Sequence, residues 1–247
     1  MLGYFNSFNV LFQSRSTQIH NLAKNSKQLF REVIQNFVKP NFISSVVNLD
    51  NPHIYLEVDS IIVGYDCNNV LKQINKEGQN QIRLNILKFY ITAAKEMQKR
   101  LPLNDFLFEK MSFLAPDKAL NLRNREGLED LSDIAIFFKI DASSIFVEWR
   151  NLAVQFNDNE RKQLESLRVD EFWWEVGKLE DFEQGKKYSN LCKLANIVMS
   201  LPHSNADAER IFSVVTDVRT KKRNRIGSEV MNAITVTRSA FSELEAK

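Results

Sequence analysis

Glycine and proline are scarce in this chain, with 7 and 5 residues in 247. Tight turns and strand ends depend on those two residues. A chain so poor in them is constrained towards long helices with few connections, and the apolar residues recur accordingly. From Tyr4 to Val38 the pattern is helical, with Phe5, Phe8, Leu11 and Phe12 on one stripe. Leu29, Val33, Ile34 and Phe37 form a second, closed by Pro40. Another helix is predicted from about Gln79 to Arg100, carried by Ile82, Ile86, Phe89, Ala93, Met97 and Leu101 and stopped by Pro102. "LSDIAIFFKI" and "ASSIFVEWRNLAVQF" give two more, and Ile145, Trp149, Leu152 and Phe156 keep the 3.6-residue period.

Three stretches depart from this pattern. Residues 41–66 include "IYLEVDSIIVGYD", rich in β-branched residues, which suits a short strand or an irregular connection. Residues 103–130, with Pro116 and Gly127, read as loop-rich. The charged stretch that begins at Asn157 reads as partly helical and solvent-facing around Trp173 and Trp174, with the pair partly buried and Trp149 in the core. After Tyr188 come three helix candidates in a row: "NLCKLANIVMSL", "SNADAERIFSVVTDV" and "SEVMNAITVTRSAFSEL". The charged stretch is the natural joint, giving 1–187 as a helical body and 188–247 as a C-terminal unit.

Composition narrows the function classes. Hydrophobic residues are 44% and charged residues 26%, ordinary for a globular protein, and a net charge of +2 makes no electrostatic case for nucleic acid except through local patches. Cys67 and Cys192, like His20, His53 and His203, are scattered, without the paired spacing of a zinc site or a disulfide framework. The opening "MLGYFNSFNVLF" has no basic n-region, and Asn6, Ser7 and Asn9 interrupt its apolar run, so it reads as a helix rather than a signal peptide. No window approaches the roughly 20 apolar residues of a membrane span. Neither a membrane nor a small-molecule substrate is expected as a partner. A chain whose first residues already look like core helix reads as part of something longer.

The chemistry-bearing residues gather near the C-terminus. Ser204 is a good N-cap after Pro202, and Asp207 and Glu209 place negative charge at the positive end of the next helix. Ile211, Val214, Val215 and Val218 form its apolar stripe. At about 100° per residue, Glu209 lies about 200° from Ile211 and points away from that stripe. The placement suits a site-facing carboxylate and a solvated helix face equally well. Five cations follow: Arg219, Lys221, Lys222, Arg223 and Arg225. They complement the helix dipole, could hold phosphates, and could equally be a nuclear import signal or plain surface. In the last helix Val230, Ala233, Ile234, Thr237 and Phe241 share one face, which packs within the chain or forms a dimer seam.

"LANIVMSLPHSNADAERIFSVVTDVRTKKRNRIGSEVMNAITVTRS" resembles the C-terminal signature of hAT-family transposases and the host proteins derived from them. The resemblance is carried in order by Pro202, Ser204, Glu209, Arg210, Phe212, Ser213, Lys222, Arg223, Asn224, Arg225 and Ile226. Upstream, "FNVLFQSRSTQIHNL", "IRLNILKFYITAAKEMQKRLP" and "FVEWRNL" are similar to the family's helical insertion region. The resemblance implies a mainly α fold: an insertion-type helical body plus the C-terminal helices of an incomplete RNase H-like transposase domain. In an intact family enzyme three acids hold two divalent ions such as Mg for in-line phosphoryl transfer. Glu209 matches the third acid, while the first two aspartates precede the insertion and are not found here; Asp59 and Asp66 fall inside it, on the wrong side of the family's order. This chain alone is therefore expected to hold no metal and not to cut DNA. The implied protein is a truncated or domesticated, nuclear relative that self-associates through Ile211, Phe212, Val215, Val230, Ile234 and Phe241. The alternatives are part of an active transposase completed by upstream aspartates, and a DNA-binding module without chemistry that uses the basic run.

Overall fold

The computed structural model describes residues 2–13, 16–44, 46–123, 128–182, 185–202, 206–218 and 227–244, and in them the protein is mainly helical. The N-terminal stretch with two apolar stripes is two helices, α1 (Leu2–Phe12) and α2 (Ile19–Ile34). Short α3 (Tyr65–Leu71) precedes the long α4 (Lys76–Arg100). The middle holds α5 (Phe106–Lys110), α6 (Pro116–Ala119), α7 (Leu128–Phe137) and α8 (Ala142–Leu152). Beyond them lie α9 (Asp158–Glu165), α10 (Val169–Gly177), α11 (Ser189–Met199), α12 (Ala206–Val218) and α13 (Ser228–Leu244). Among the described residues there is no strand, only isolated antiparallel bridges between Val38 and Tyr55 and between Glu180 and Lys186.

Local chemistry sets the helix ends. Asn75 starts α4 by accepting from the Gly78 N–H at 2.8 Å, and Asp105 starts α5 by accepting from the Leu107 N–H at 2.9 Å. At α8 the Asp141 carboxylate accepts from the hydroxyls and N–H groups of both Ser143 and Ser144. Those donors, the Ser144 hydroxyl first and the Ser143 hydroxyl second, hold its carboxyl down at about 2. Helix α7 ends in a left-handed turn: Lys139 has φ 57°, its N–H reaches the Ile136 carbonyl, and the Ile140 N–H reaches back to Ala135. That is a Schellman motif with lysine where glycine is the usual occupant.

Helix α2 belongs to two cores. Its Leu29, Phe30, Val33 and Ile34 join Phe37, Val38, Val47, Leu49, Ile54, Ile61, Tyr90, Ala94, Met97 and Leu103 in the first. Its opening residue, Ile19, is buried in the second, with residues from the Met111–Leu114 3₁₀ turn and from α6, α7, α8, α10 and α11. Each such aliphatic or aromatic side chain contributes about 1.5–3 kcal/mol on burial. The segment 41–66 is the irregular connection: three 3₁₀ turns, held against α4 where the buried Arg83 donates to the Ile61 carbonyl at 2.6 Å and the Tyr90 hydroxyl to that of Ile62 at 2.8 Å.

Two expectations change. The buried face of α4 is Arg83, Tyr90, Ala94 and Met97, and Phe89 is exposed. The face that packs lies one residue on from the predicted Phe89 and Ala93, because Phe37 stacks on Tyr90 at 5.7 Å between centroids. Residues 103–120, read as loop, supply Leu103, Met111, Phe113, Leu114, Ala119 and Leu120 to the cores. Their helices are too short to show a period.

Two outcomes follow from the caps. Replacing Lys139 with Gly removes the steric penalty of a left-handed side chain, so Lys139→Gly should raise unfolding stability by about 1 kcal/mol in urea titration. Asp141 has a depressed folded pKa. Its contribution is complete above the ordinary carboxylate value of 3.8 and is lost as pH falls towards about 2. The melting-temperature deficit of Asp141→Ala should therefore shrink across that window.

Candidate interface in the C-terminal helical hairpin

The C-terminal helices are anchored by α8. Its Trp149 is buried, as its spacing predicted, whereas Trp173 and Trp174 of α10 part company: Trp173 is 2% exposed and Trp174 68%. The Trp173 indole N–H donates to the Leu114 carbonyl at 2.9 Å. Trp174 looks outward with the Lys178 ammonium 5.6 Å from its ring centroid. Asn157 and Glu160 form a capping box that starts α9.

Helix α11 is capped from another helix. Its own first residues offer no side-chain cap. Glu148 of α8 fills the position: Oε2 accepts from the Leu191 N–H at 2.7 Å, and Oε1 from the Asn190 N–H at 3.2 Å and side-chain amide at 3.0 Å. A carboxylate here satisfies orphan donors and meets the positive end of the helix dipole. Sequence reasoning missed Glu148, since a cap supplied from 42 residues away has no local signature. Beside it, burial pushes the Cys192 thiol up to about 11, with the Glu148 carboxylate adding to the shift and Lys186 opposing it. Tyr188, Leu191, Leu194, Ala195 and Val198 lie in the same core as Trp149 and Phe172, so one core spans residue 188.

Helices α12 and α13 pack chiefly on each other. Val218 of α12 is buried, and Val215 is half-buried. Glu209, Phe212, Ser213 and Thr216 are exposed at i, i+3, i+4 and i+7, a single outward face opposite Val218. On α13, Met231, Ile234 and Thr235 are half-buried, while Val230, Ala233, Val236 and Thr237 are exposed. Phe212 is 68% exposed and Val230 56%. Of the proposed seam residues, Phe212 and Val230 thus face outward and Val215 and Ile234 are half-covered. The side chains of Ile211 and Phe241 lie outside the described residues, as do Arg219, Lys221, Lys222, Arg223 and Arg225.

Glu209 stands on its exposed face, and among the described residues no group of three or more His, Cys, Asp and Glu could hold a metal ion. Asp59 lies in a 3₁₀ turn and pairs with Lys76 at 2.6 Å, and Asp66 lies in the first turn of α3. Among the described residues no helix is long and apolar enough to cross a membrane. A cleft of about 450 Å³ at the end of α4 is lined in part by Gln98 and Asp105. Gln98 already donates to the Val47 carbonyl, and Asp105 caps α5.

Among the described residues the protein is a mainly helical body carrying a C-terminal pair of helices with exposed apolar residues. Residues 157–241, from the N-cap of α9 into α13, match the family model of the hAT family C-terminal dimerisation region. Over those residues the chain is similar to that dimerisation region, in agreement with its motif resemblance. No curated protein matches the chain, and no solved structure does.

Removing the inter-helix cap should loosen the joint between α8 and α11. Glu148→Ala is expected to cost about 1–2 kcal/mol in chemical denaturation, with Glu148→Gln recovering part of it. A thiol shifted from 9.0 to about 11 has about 100-fold less thiolate at neutral pH, so Cys192 should resist iodoacetamide until the protein is unfolded, as peptide mass spectrometry would show.

Proposed function

We propose that this chain is a truncated or domesticated hAT-transposase relative whose work is self-association through the α12–α13 hairpin, and that by itself it does not cut DNA. The observation that carries this reading is the exposure of Phe212, Val230 and Val236 on two helices inside the matched dimerisation region. A second copy would cover them, removing apolar surface from water. The incomplete RNase H-like character, the nuclear location and DNA contact through Arg219–Arg225 belong to the same proposal; they are supported by the motif resemblance and by the charge of that run. The exposed Glu209 favours a second reading, in which the acid joins two aspartates supplied by a longer protein or a partner chain. Cleavage assays on a protein completed with the upstream sequence would separate the two.

Light scattering at micromolar concentration should return twice the chain mass of 28.7 kDa. Phe212→Asp and Val230→Asp should each raise the dimer dissociation constant by about 30-fold or more, since a buried hot-spot side chain is worth about 2 kcal/mol. Phe89→Asp, equally exposed but on α4, should leave it unchanged. A monomeric wild-type protein would end the proposal.

A further inference from the structure

We propose that Ser228, at the start of α13, is a phosphoacceptor site for an arginine-directed protein kinase. Of all serines and threonines in the chain, Ser213 and Ser228 have an arginine three residues before them, Arg210 and Arg225 respectively. Ser228 alone has a second arginine five residues before, Arg223. In an extended substrate, residues two apart project to the same side about 6.6 Å apart. Arg223 and Arg225 could then enter neighbouring acidic pockets of a kinase groove, each guanidinium fork matching a carboxylate.

The local structure separates the two serines. Ser213 lies mid-way along α12 and can be extended only by opening that helix on both sides. Ser228 is the first residue of α13, and Gly227, Ser228, Glu229 and Val230 are consecutively exposed. Among the described residues, a Cβ on Gly227 would meet no atom within 4 Å, which leaves room for a groove beside the acceptor. The Met231 N–H to Gly227 carbonyl bond, at 3.0 Å, begins the helix there. Earlier N–H groups of a first turn have no intrahelical acceptor. Presenting Ser228 therefore disturbs one end of a helix rather than its middle.

In the reaction the Ser228 Oγ attacks the γ-phosphorus of magnesium-bound ATP and forms the phosphate ester. The bond from that phosphorus to the β–γ bridging oxygen breaks, ADP leaves, and the hydroxyl proton passes to the kinase's base. The product carries nearly two negative charges three residues after a run of five cations, at the helix end whose dipole favours an anion. The modification would cancel about two of the five positive charges of the basic connection.

The test uses the full chain, Mg-ATP and a purified kinase selective for arginine at the −3 and −5 positions. Intact mass and peptide mapping should place one phosphate on Ser228. Ser228→Ala should lose it, Ser213→Ala should keep it, and Arg225→Ala should lower the initial rate about 10-fold or more. Glu229→Ala, which removes an anion beside the acceptor, should raise the rate. An unmodified Ser228 in the folded wild-type protein, or an undiminished rate in Arg225→Ala, overturns the proposal. Light scattering on the same samples keeps this separate from self-association. An unphosphorylated dimer defeats only the present inference, and a phosphorylated monomer defeats only the dimer.

Discussion

Phe113 sets the second core. Its ring meets Trp149 edge-on at 6.2 Å and Trp173 at 6.1 Å, and Phe172 adds a third edge contact to Trp173 at 5.1 Å. The Leu114 carbonyl next to it belongs to a fully buried residue, where an unmet acceptor would cost about 1–3 kcal/mol. The Trp173 indole meets that need. One wedge thereby fixes a 3₁₀ turn, α8 and α10 relative to one another. Once α8 is placed, Glu148 is in position to start α11.

The C-terminal helices therefore stand in two physical situations. Helices α10 and α11 contribute Val169, Phe172, Trp173, Val176, Leu191, Leu194 and Val198 to a buried core. Helices α12 and α13 bury little beyond Val218 among the side chains described, and they leave Phe212, Val230 and Val236 open. A two-helix hairpin has too few apolar residues to cover both of its faces. The matched segment couples a buried base with a pair of helices that leave apolar side chains exposed, the surface the proposed second copy would cover.

The sequence showed most of this where residues repeat. The stripe on α8, the stop at Pro102 and the three C-terminal helices could all be read from the sequence. It misled where packing chooses between adjacent faces. On α4, Phe89 and Tyr90 are both aromatic neighbours, and tertiary contacts, with the Phe37 ring and the Ile62 carbonyl, select Tyr90. Trp173 and Trp174 are one residue apart, about 100° around the helix, and so end in opposite environments. The segment with Met111, Phe113 and Leu114 hid its role because a four-residue 3₁₀ turn has no period. Glu148 was hidden for another reason: its partners at 190 and 191 are distant in sequence, and only the fold makes them neighbours. The Glu209–Phe212 face was half legible, since spacing placed the acid away from the stripe, while the exposure of Phe212 needed the hairpin.

That face also constrains how two copies can meet. Glu209 and Phe212 are three residues apart on one helix, so their Cβ atoms lie about 5–6 Å apart. Covering Phe212 gains about 2–3 kcal/mol, whereas enclosing an unpaired carboxylate costs several kcal/mol. A seam centred on the Glu209 side of Phe212 would lose more than it gained unless a cation entered with it. In the proposed dimer the favourable seam would run along the other flank, where Phe212 adjoins the half-buried Val215. Glu209 then remains at the rim, hydrated and accessible. Association and a site-facing role for this carboxylate are compatible on one helix for that reason.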